Sequence, residues 1–194
     1  MYQDLYKMKN IYIENLKRAL LIENDTERLT YQTAILRSLL QVAVVSSFEI
    51  IKAQTPSDEI DLIDFTKRFC KPADGLPLQI LEGVIPFLRR YVDEQFLHGW
   101  FEQSKSVSTP LNRQLVKWVE YRNKRPGHGV LDTSIASEWS KKTTQIINDC
   151  LKVFNKVIPI YNGSELSLPK ELGKGLFGTP IIRNGKAIVI TSVV

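Results

Sequence analysis

The residues best suited to chemistry in this chain lie between Tyr121 and Gly129, where Arg122, Asn123 and His128 bring together a guanidinium, an amide and an imidazole. These groups can cleave RNA without a metal ion. A base takes the proton of a ribose 2′-hydroxyl, an acid protonates the leaving 5′-oxygen, and a cation stabilises the charge that develops at phosphorus. An imidazole titrates near neutrality, and a guanidinium stays charged and binds phosphate through a planar set of donors. The pattern therefore predicts Arg122 and His128 as catalytic residues, with Asn123 in support.

The segment around these residues is basic. Between Lys105 and His128 the one acid is Glu120, whereas the positive residues are Lys105, Arg113, Lys117, Arg122, Lys124 and Arg125. A local excess of positive charge attracts polyanions such as RNA. We accordingly predict RNA-binding roles for Arg113, Lys117, Lys124 and Arg125. Charge alone is nevertheless more typical of a solvated helix face.

The overall composition, 43% hydrophobic and 24% charged, is that of a globular protein, and the 194 residues suffice for one domain plus a small appendage. Cys70 and Cys150 lie far apart and form no metal-ligand pair; they suit a reducing compartment, although a disulfide between them stays open. The first four residues lack a secretory signal, and no uninterrupted apolar run has the length of a membrane span. We expect a cytoplasmic, soluble protein without cofactor, metal or membrane contact.

Apolar residues recur three or four positions apart along most of the first 158 residues, which is typical of amphipathic helices. The predicted helices cover residues 3–22, 29–53, 58–69, 78–101, 111–125 and 132–157. The second of these is apolar nearly all round, which indicates a central helix. Pro86 should kink or restart the fourth. These patterns predict an all-α fold, a bundle of four to five helices over residues 1–158.

The helix that Pro110 begins should place Arg122 on its apolar face. Steps of four, three and four residues align Leu111, Leu115, Trp118 and Arg122. Pro126 and Gly127 then end the helix before His128. The motif thus lies at a junction between two helices.

Two ionisable residues of the central helix, Arg37 and Glu49, need partners because an unpaired buried charge is costly. Glu49 either lies at an edge of the bundle, pairs with a structural arginine, or faces the segment from Arg122 to His128 as a supporting acid. The chain's other histidine, His98, has no second base near it in sequence and reads as a packing or surface residue.

Residues 159–194 differ in character and form a second unit, either a short extension or the start of a further domain. Two apolar runs flank Asn184 and Gly185, a strong β-hairpin signal. The stretch Gly173–Gly178 matches Gly-x-Gly-x-x-Gly and resembles the phosphate-covering loop of protein kinases. Because Pro180 replaces the valine of that pattern and no lysine follows on a third strand, we interpret this stretch as a glycine-rich turn.

The sequence Arg122-Asn123 with His128 six positions after the arginine resembles the Arg-x(4–6)-His motif of HEPN domains. The resemblance implies an all-helical bundle, a metal-independent endoribonuclease of toxin or antiviral-defence type, and a homodimer whose two motifs line one cleft. It further implies an antitoxin or a C-terminal effector domain as partner. Members silenced by a nucleotidyltransferase have a tyrosine two residues past the histidine, where this chain has Val130, so that regulation is not carried over.

A non-catalytic interpretation remains open beside this one. Arg122 could cap the end of its helix, Gly127 could be a turn residue and His128 could serve packing. The chain would then be a HEPN-like dimerisation or nucleic-acid-sensing module at the N-terminus of a larger defence protein.

Overall fold

The protein structure is a computed structural model that describes residues 7–54, 73–124 and 133–156, together with the backbone of 170–173, 176–183 and 186–193. The part of residues 1–156 that is described is all-α, as the sequence predicts. Its helices are α1 (Lys7–Leu20), α2 (Asp25–Gln54), α3 (Gly75–Tyr91), α4 (Leu111–Asn123) and α5 (Thr133–Val153), followed by a 3-10 turn at Phe154–Lys156. The predicted helix at 58–69 lies outside the described residues.

The central helix is α2, which packs against α1, α3 and α5. It begins at Asp25, four residues before the predicted start at residue 29, and Asn24 caps it: the Oδ1 atom of Asn24 accepts hydrogen bonds of 3.0 Å from the backbone N–H groups of Thr26 and Glu27. By length and composition alone, Asp25–Ile51 passes as a candidate membrane span, although polar residues interrupt its apolar run. Half of its most apolar window is buried inside the protein.

Helix α3 is shorter than its apolar pattern suggests. It begins at Gly75 and ends at Tyr91, ten residues before the predicted end at residue 101. The helix is not restarted at Pro86. It continues through this residue, and the proline ring lies on the exposed side. The prediction of one helix over 78–101 was therefore wrong at its C-terminal end.

The segment after α3 turns because Arg89 binds it from the helix. Its guanidinium donates to the carbonyl oxygens of Phe96 (2.8 Å) and Leu97 (3.1 Å) and to Glu102 (2.9 and 3.1 Å). Leu97 and Gly99 have positive φ angles of 49° and 98°, which no helix accommodates. Phe96, Leu97 and the neighbouring Trp100 are nevertheless buried, so their spacing imitates a helical stripe.

Helices α4 and α5 close the other side of the bundle and contact each other. On α4, Leu111, Leu115 and Trp118 are completely buried, as their spacing predicts. On α5, Ile135 near the start of the helix is exposed, with an exposed fraction of 43%. Burial on this helix begins one residue later, at Ala136.

Three strands follow in the C-terminal part of the described chain. They are β1 (Lys170–Gly173), β2 (Leu176–Arg183) and β3 (Lys186–Val193), antiparallel in the order β1-β2-β3. Arg183 lies opposite Lys186 in the β2–β3 register. The glycine-rich stretch Gly173–Gly178 spans the connection from β1 into β2, and the sequence had not indicated β1.

Candidate functional site

Arg122 lies in the last turn of α4 and is partly buried, with 30% of its side chain exposed. It follows Leu115 and Trp118 along the same face of the helix, as their spacing predicts. Its Nε atom lies 3.3 Å from the Oδ2 atom of Asp74, the residue just before α3. The guanidinium is thus directed toward α3, and its catalytic role stays a prediction.

Asp74 is shared between two arginines. Arg37 of α2 binds it with both ends of the guanidinium fork, at 2.5 Å from Nε to Oδ1 and 2.8 Å from Nη2 to Oδ2. Only 13% of the Asp74 side chain is exposed, compared with 46% for Arg37. Arg37, Asp74 and Arg122 form what we call the ion cluster, which joins α2, α3 and α4 and has a formal charge of one positive unit.

The ion cluster keeps Asp74 ionised. Burial by itself raises the pKa of this carboxyl group, but the hydrogen bonds and charge of Arg37, followed by those of Arg122, outweigh it and lower the pKa below its ordinary value. The same contact raises the pKa of Arg37. Asp74 occupies the N-cap position of α3 without accepting a capping hydrogen bond, so its carboxylate serves the two guanidinium groups.

A groove of about 690 Å³ opens beside the ion cluster, between α2, the start of α3 and the end of α4. Arg37, Asp74 and Asn123 line it together with apolar residues such as Leu40 and Val119. Asn123, the predicted supporting residue, is exposed at the end of α4 and borders this groove. The structure thus brings Asn123 and the carboxylate partner of Arg122 to the same opening.

The predicted RNA-binding residues separate into two groups. Lys117 and Lys124, both exposed, line a different groove of about 610 Å³ between α4 and α5. Arg113 is exposed near the start of α4 and lines neither groove. Arg125 and the catalytic candidate His128 lie outside the described residues, so the structure does not test whether His128 meets Arg122.

Glu49, the predicted supporting acid, lies on the exposed side of α2. It is twelve residues beyond Arg37, which is about 18 Å along a helix axis. Because Arg37 and Arg122 share Asp74, this places Glu49 well away from Arg122. Its relation to His128 stays a prediction for the reason just given.

The second groove, which we call the α4–α5 groove, combines lysines with an aromatic pair. Its principal lining residues are Lys117, Glu120, Tyr121 and Lys124 from α4 and Trp139, Lys142 and Asp149 from α5. The rings of Tyr121 and Trp139 stack, with centroids 3.8 Å apart and an interplanar angle of 12°. Three lysines and two acids therefore line this opening beside a stacked aromatic pair.

Sequence reasoning missed Asp74, and it noted Arg37 only as a charge that needed a partner. The available signal was Asp74-Gly75 before an apolar periodic run, because an aspartate at that position indicates a helix start. The predicted helices at 58–69 and 78–101 leave Asp74 between them. The partnership itself joins residues 37 and 48 positions apart, which no local pattern reveals.

The chain was compared with protein-family models, curated proteins and solved structures, and none of them matches it.

Proposed function

We propose that residues 1–158 form a HEPN-like helical domain, extended by the C-terminal hairpin unit of residues 159–194, that acts as a metal-independent endoribonuclease. The observation that supports this most is the position of Arg122. It lies at the end of α4, fixed by Asp74 beside the groove that Asn123 lines, and immediately before the segment that leads to His128. A cation fixed by a carboxylate at the edge of an opening can receive a phosphate in a defined orientation.

The contact between Asp74 and Arg122 is compatible with phosphate binding by the same guanidinium. Asp74 accepts from Nε of Arg122, and the four N–H groups on Nη1 and Nη2 have no partner recorded within residues 7–54, 73–124 and 133–156. A phosphate can therefore bind the outer edge of the guanidinium while Asp74 still holds its inner edge. In this proposal Asp74 and Arg37 are positioning residues.

The chemistry follows from these groups. The 2′-oxygen attacks the adjacent phosphorus, the bond from phosphorus to the 5′-oxygen breaks, and the products are a 2′,3′-cyclic phosphate and a 5′-hydroxyl. One imidazole takes the proton of the 2′-hydroxyl and a second gives a proton to the leaving oxygen. Because each chain offers one His128, the proposal includes a homodimer in which two copies of the motif share a cleft. RNA in the cytoplasm is the proposed substrate.

The test uses the two histidines of the chain as a matched pair. Purified protein should cut single-stranded RNA in EDTA and leave cyclic phosphate ends. His128→Ala should abolish cleavage, whereas His98→Ala should leave it unchanged, because His98 is a surface residue paired with Glu102 at 2.8 Å. Circular dichroism of both variants checks that they fold. Cleavage by His128→Ala at the wild-type rate would refute the proposal.

A second candidate is a non-catalytic HEPN-like dimerisation or nucleic-acid-sensing module at the N-terminus of a larger defence protein, which regulates a C-terminal effector domain; an antitoxin is the proposed partner of the ribonuclease instead. It is favoured by the ion cluster, since a guanidinium that a carboxylate already binds is also an ordinary structural arrangement. This candidate predicts RNA binding and dimers in light scattering without cleavage by the wild-type protein.

A further inference from the structure

We propose that the α4–α5 groove is a site for one base of single-stranded RNA, bound against Trp139 with its flanking phosphates on Lys117 and Lys124. RNA as the ligand rests on the proposed function, but the groove is separate from the ion cluster and lies on the other side of α4. Its volume of about 610 Å³ is within the range of small-ligand sites.

The aromatic pair provides the surface for a base. Tyr121 covers one face of the Trp139 ring at 3.8 Å, so the ammonium of Lys142, whose Nζ lies 4.7 Å from the ring centroid, must lie over the other face. Lys142 is half-exposed and paired with the exposed Glu138. Such a side chain moves at little cost. A base can therefore replace it on Trp139, and Tyr121 supports the indole ring from behind.

The lysines are placed to follow a strand past this ring. Lys117 and Lys124 are seven residues apart on α4, so they lie on the same face and about 10 Å apart along the helix axis. Both are exposed and neither has a recorded ion-pair partner within the helical residues that the structure describes. Their ammonium groups are therefore available to bind phosphates.

The end of the groove near Gln114 is closed by hydrogen bonds within the protein. Both N–H groups of the Gln114 amide are used, one by the carbonyl oxygen of Thr109 (2.8 Å) and the other by Asp149 (3.0 Å). Asp149 is itself buried and also accepts from Gln145 (3.1 Å) and Lys152 (2.9 Å), so these polar groups hold one another. Gln114 lies seven residues before Tyr121, about 10 Å along the axis of α4, so a base on Trp139 does not reach this end and the stacking site should accept any base.

The test measures binding alone, so that its result is independent of cleavage. Short fluorescein-labelled 2′-O-methyl oligocytidine and oligouridine lack the attacking hydroxyl and cannot be cut. Fluorescence anisotropy with the full chain should show both oligonucleotides bound, with affinities within about threefold of each other, because stacking on an aromatic ring tolerates any base. Lys117→Gln and Lys124→Gln should each lower the slope of log affinity against log salt by about 0.7.

Trp139 is tested with two substitutions that differ in the ring. Trp139→Leu, which keeps apolar volume without an aromatic face, should weaken binding by at least about fivefold, and Trp139→Phe should stay near wild type. The lysine control compares two exposed lysines: Lys117→Gln should weaken binding, whereas Lys141→Gln should not, because Lys141 is exposed on α5 and does not line the groove.

Three results would overturn the inference. They are wild-type binding by Trp139→Leu, an equal loss in Lys141→Gln and Lys117→Gln, and competition by polyglutamate as strong as that by oligonucleotide, which would indicate general attraction of anions. Binding as expected with no cleavage of ordinary RNA would support this site and count against the ribonuclease, and the reverse result would do the opposite.

Discussion

The two sides of α4 hold positively charged side chains in different environments. Toward α2 and α3, Arg122 is partly buried and bound to a carboxylate that Arg37 also binds. Toward α5, Lys117 and Lys124 are exposed beside a stacked aromatic pair. One helix therefore carries a cation with a fixed position and, on another face, cations that are free to move in solvent.

This difference suits the two kinds of side chain to different roles: the arginine to positioning a phosphate, and the lysines to attracting a polyanion. A guanidinium fixed by a carboxylate loses little entropy when it contacts a phosphate, which suits a role at a reacting centre. Flexible ammonium groups attract a polyanion from a distance and adapt to it, but they fix no geometry. One basic segment of sequence can therefore contain both proposed catalytic residues and proposed binding residues.

The largest expected effect comes from the residue that both sides of α4 depend on. Trp118 is completely buried, so Trp118→Ala should lower the free energy of unfolding by about 3–5 kcal/mol in urea denaturation and disturb both regions. Val116→Ala on the same helix, where 38% of the side chain is exposed, should change it by less than about 1 kcal/mol. Similar losses in both variants would show that α4 is not anchored through Trp118.

A smaller effect should be confined to the ion cluster. Asp74→Asn leaves two guanidinium groups without their shared negative charge and should cost about 1–2 kcal/mol of unfolding free energy, a figure reduced for the exposure of Arg37. The matched control is Glu120→Gln, an exposed acid on the opposite groove, with an expected change within about 0.5 kcal/mol. Oligocytidine binding should be unchanged in Asp74→Asn, and a loss of binding there would contradict the separation of the two regions.

The smallest effect is a pH dependence of the same contact. The folded-state pKa of Asp74 is lowered, so its contribution to stability is fully present above the unfolded value of about 4 and is lost as the pH falls through the lower folded value. Urea denaturation of wild type and Asp74→Asn should therefore show a constant difference near neutrality that narrows below about pH 4. A difference that persists unchanged in acid would mean that the carboxylate charge does not stabilise the cluster.

The sequence predicted the buried face of a helix well where the helical period of 3.6 residues alone decides it. The steps of four, three and four on α4 placed Leu115 and Trp118 in the core and turned Arg122 toward the same side. Such spacing is sufficient because a helix repeats every 3.6 residues whatever surrounds it. The same reasoning failed after Tyr91, because Arg89 binds the carbonyl groups of a turn whose buried residues happen to have helical spacing.

By itself, then, the sequence determined the all-α character of the described N-terminal part and the face of α4 on which Arg122 lies. Tertiary structure alone decided that Asp74 joins Arg37 to Arg122 and that Tyr121 stacks on Trp139. The physical reason is that periodicity and capping depend on neighbours within one or two turns, whereas an ion pair or a ring stack between helices depends on how closely and at what angle their backbones approach.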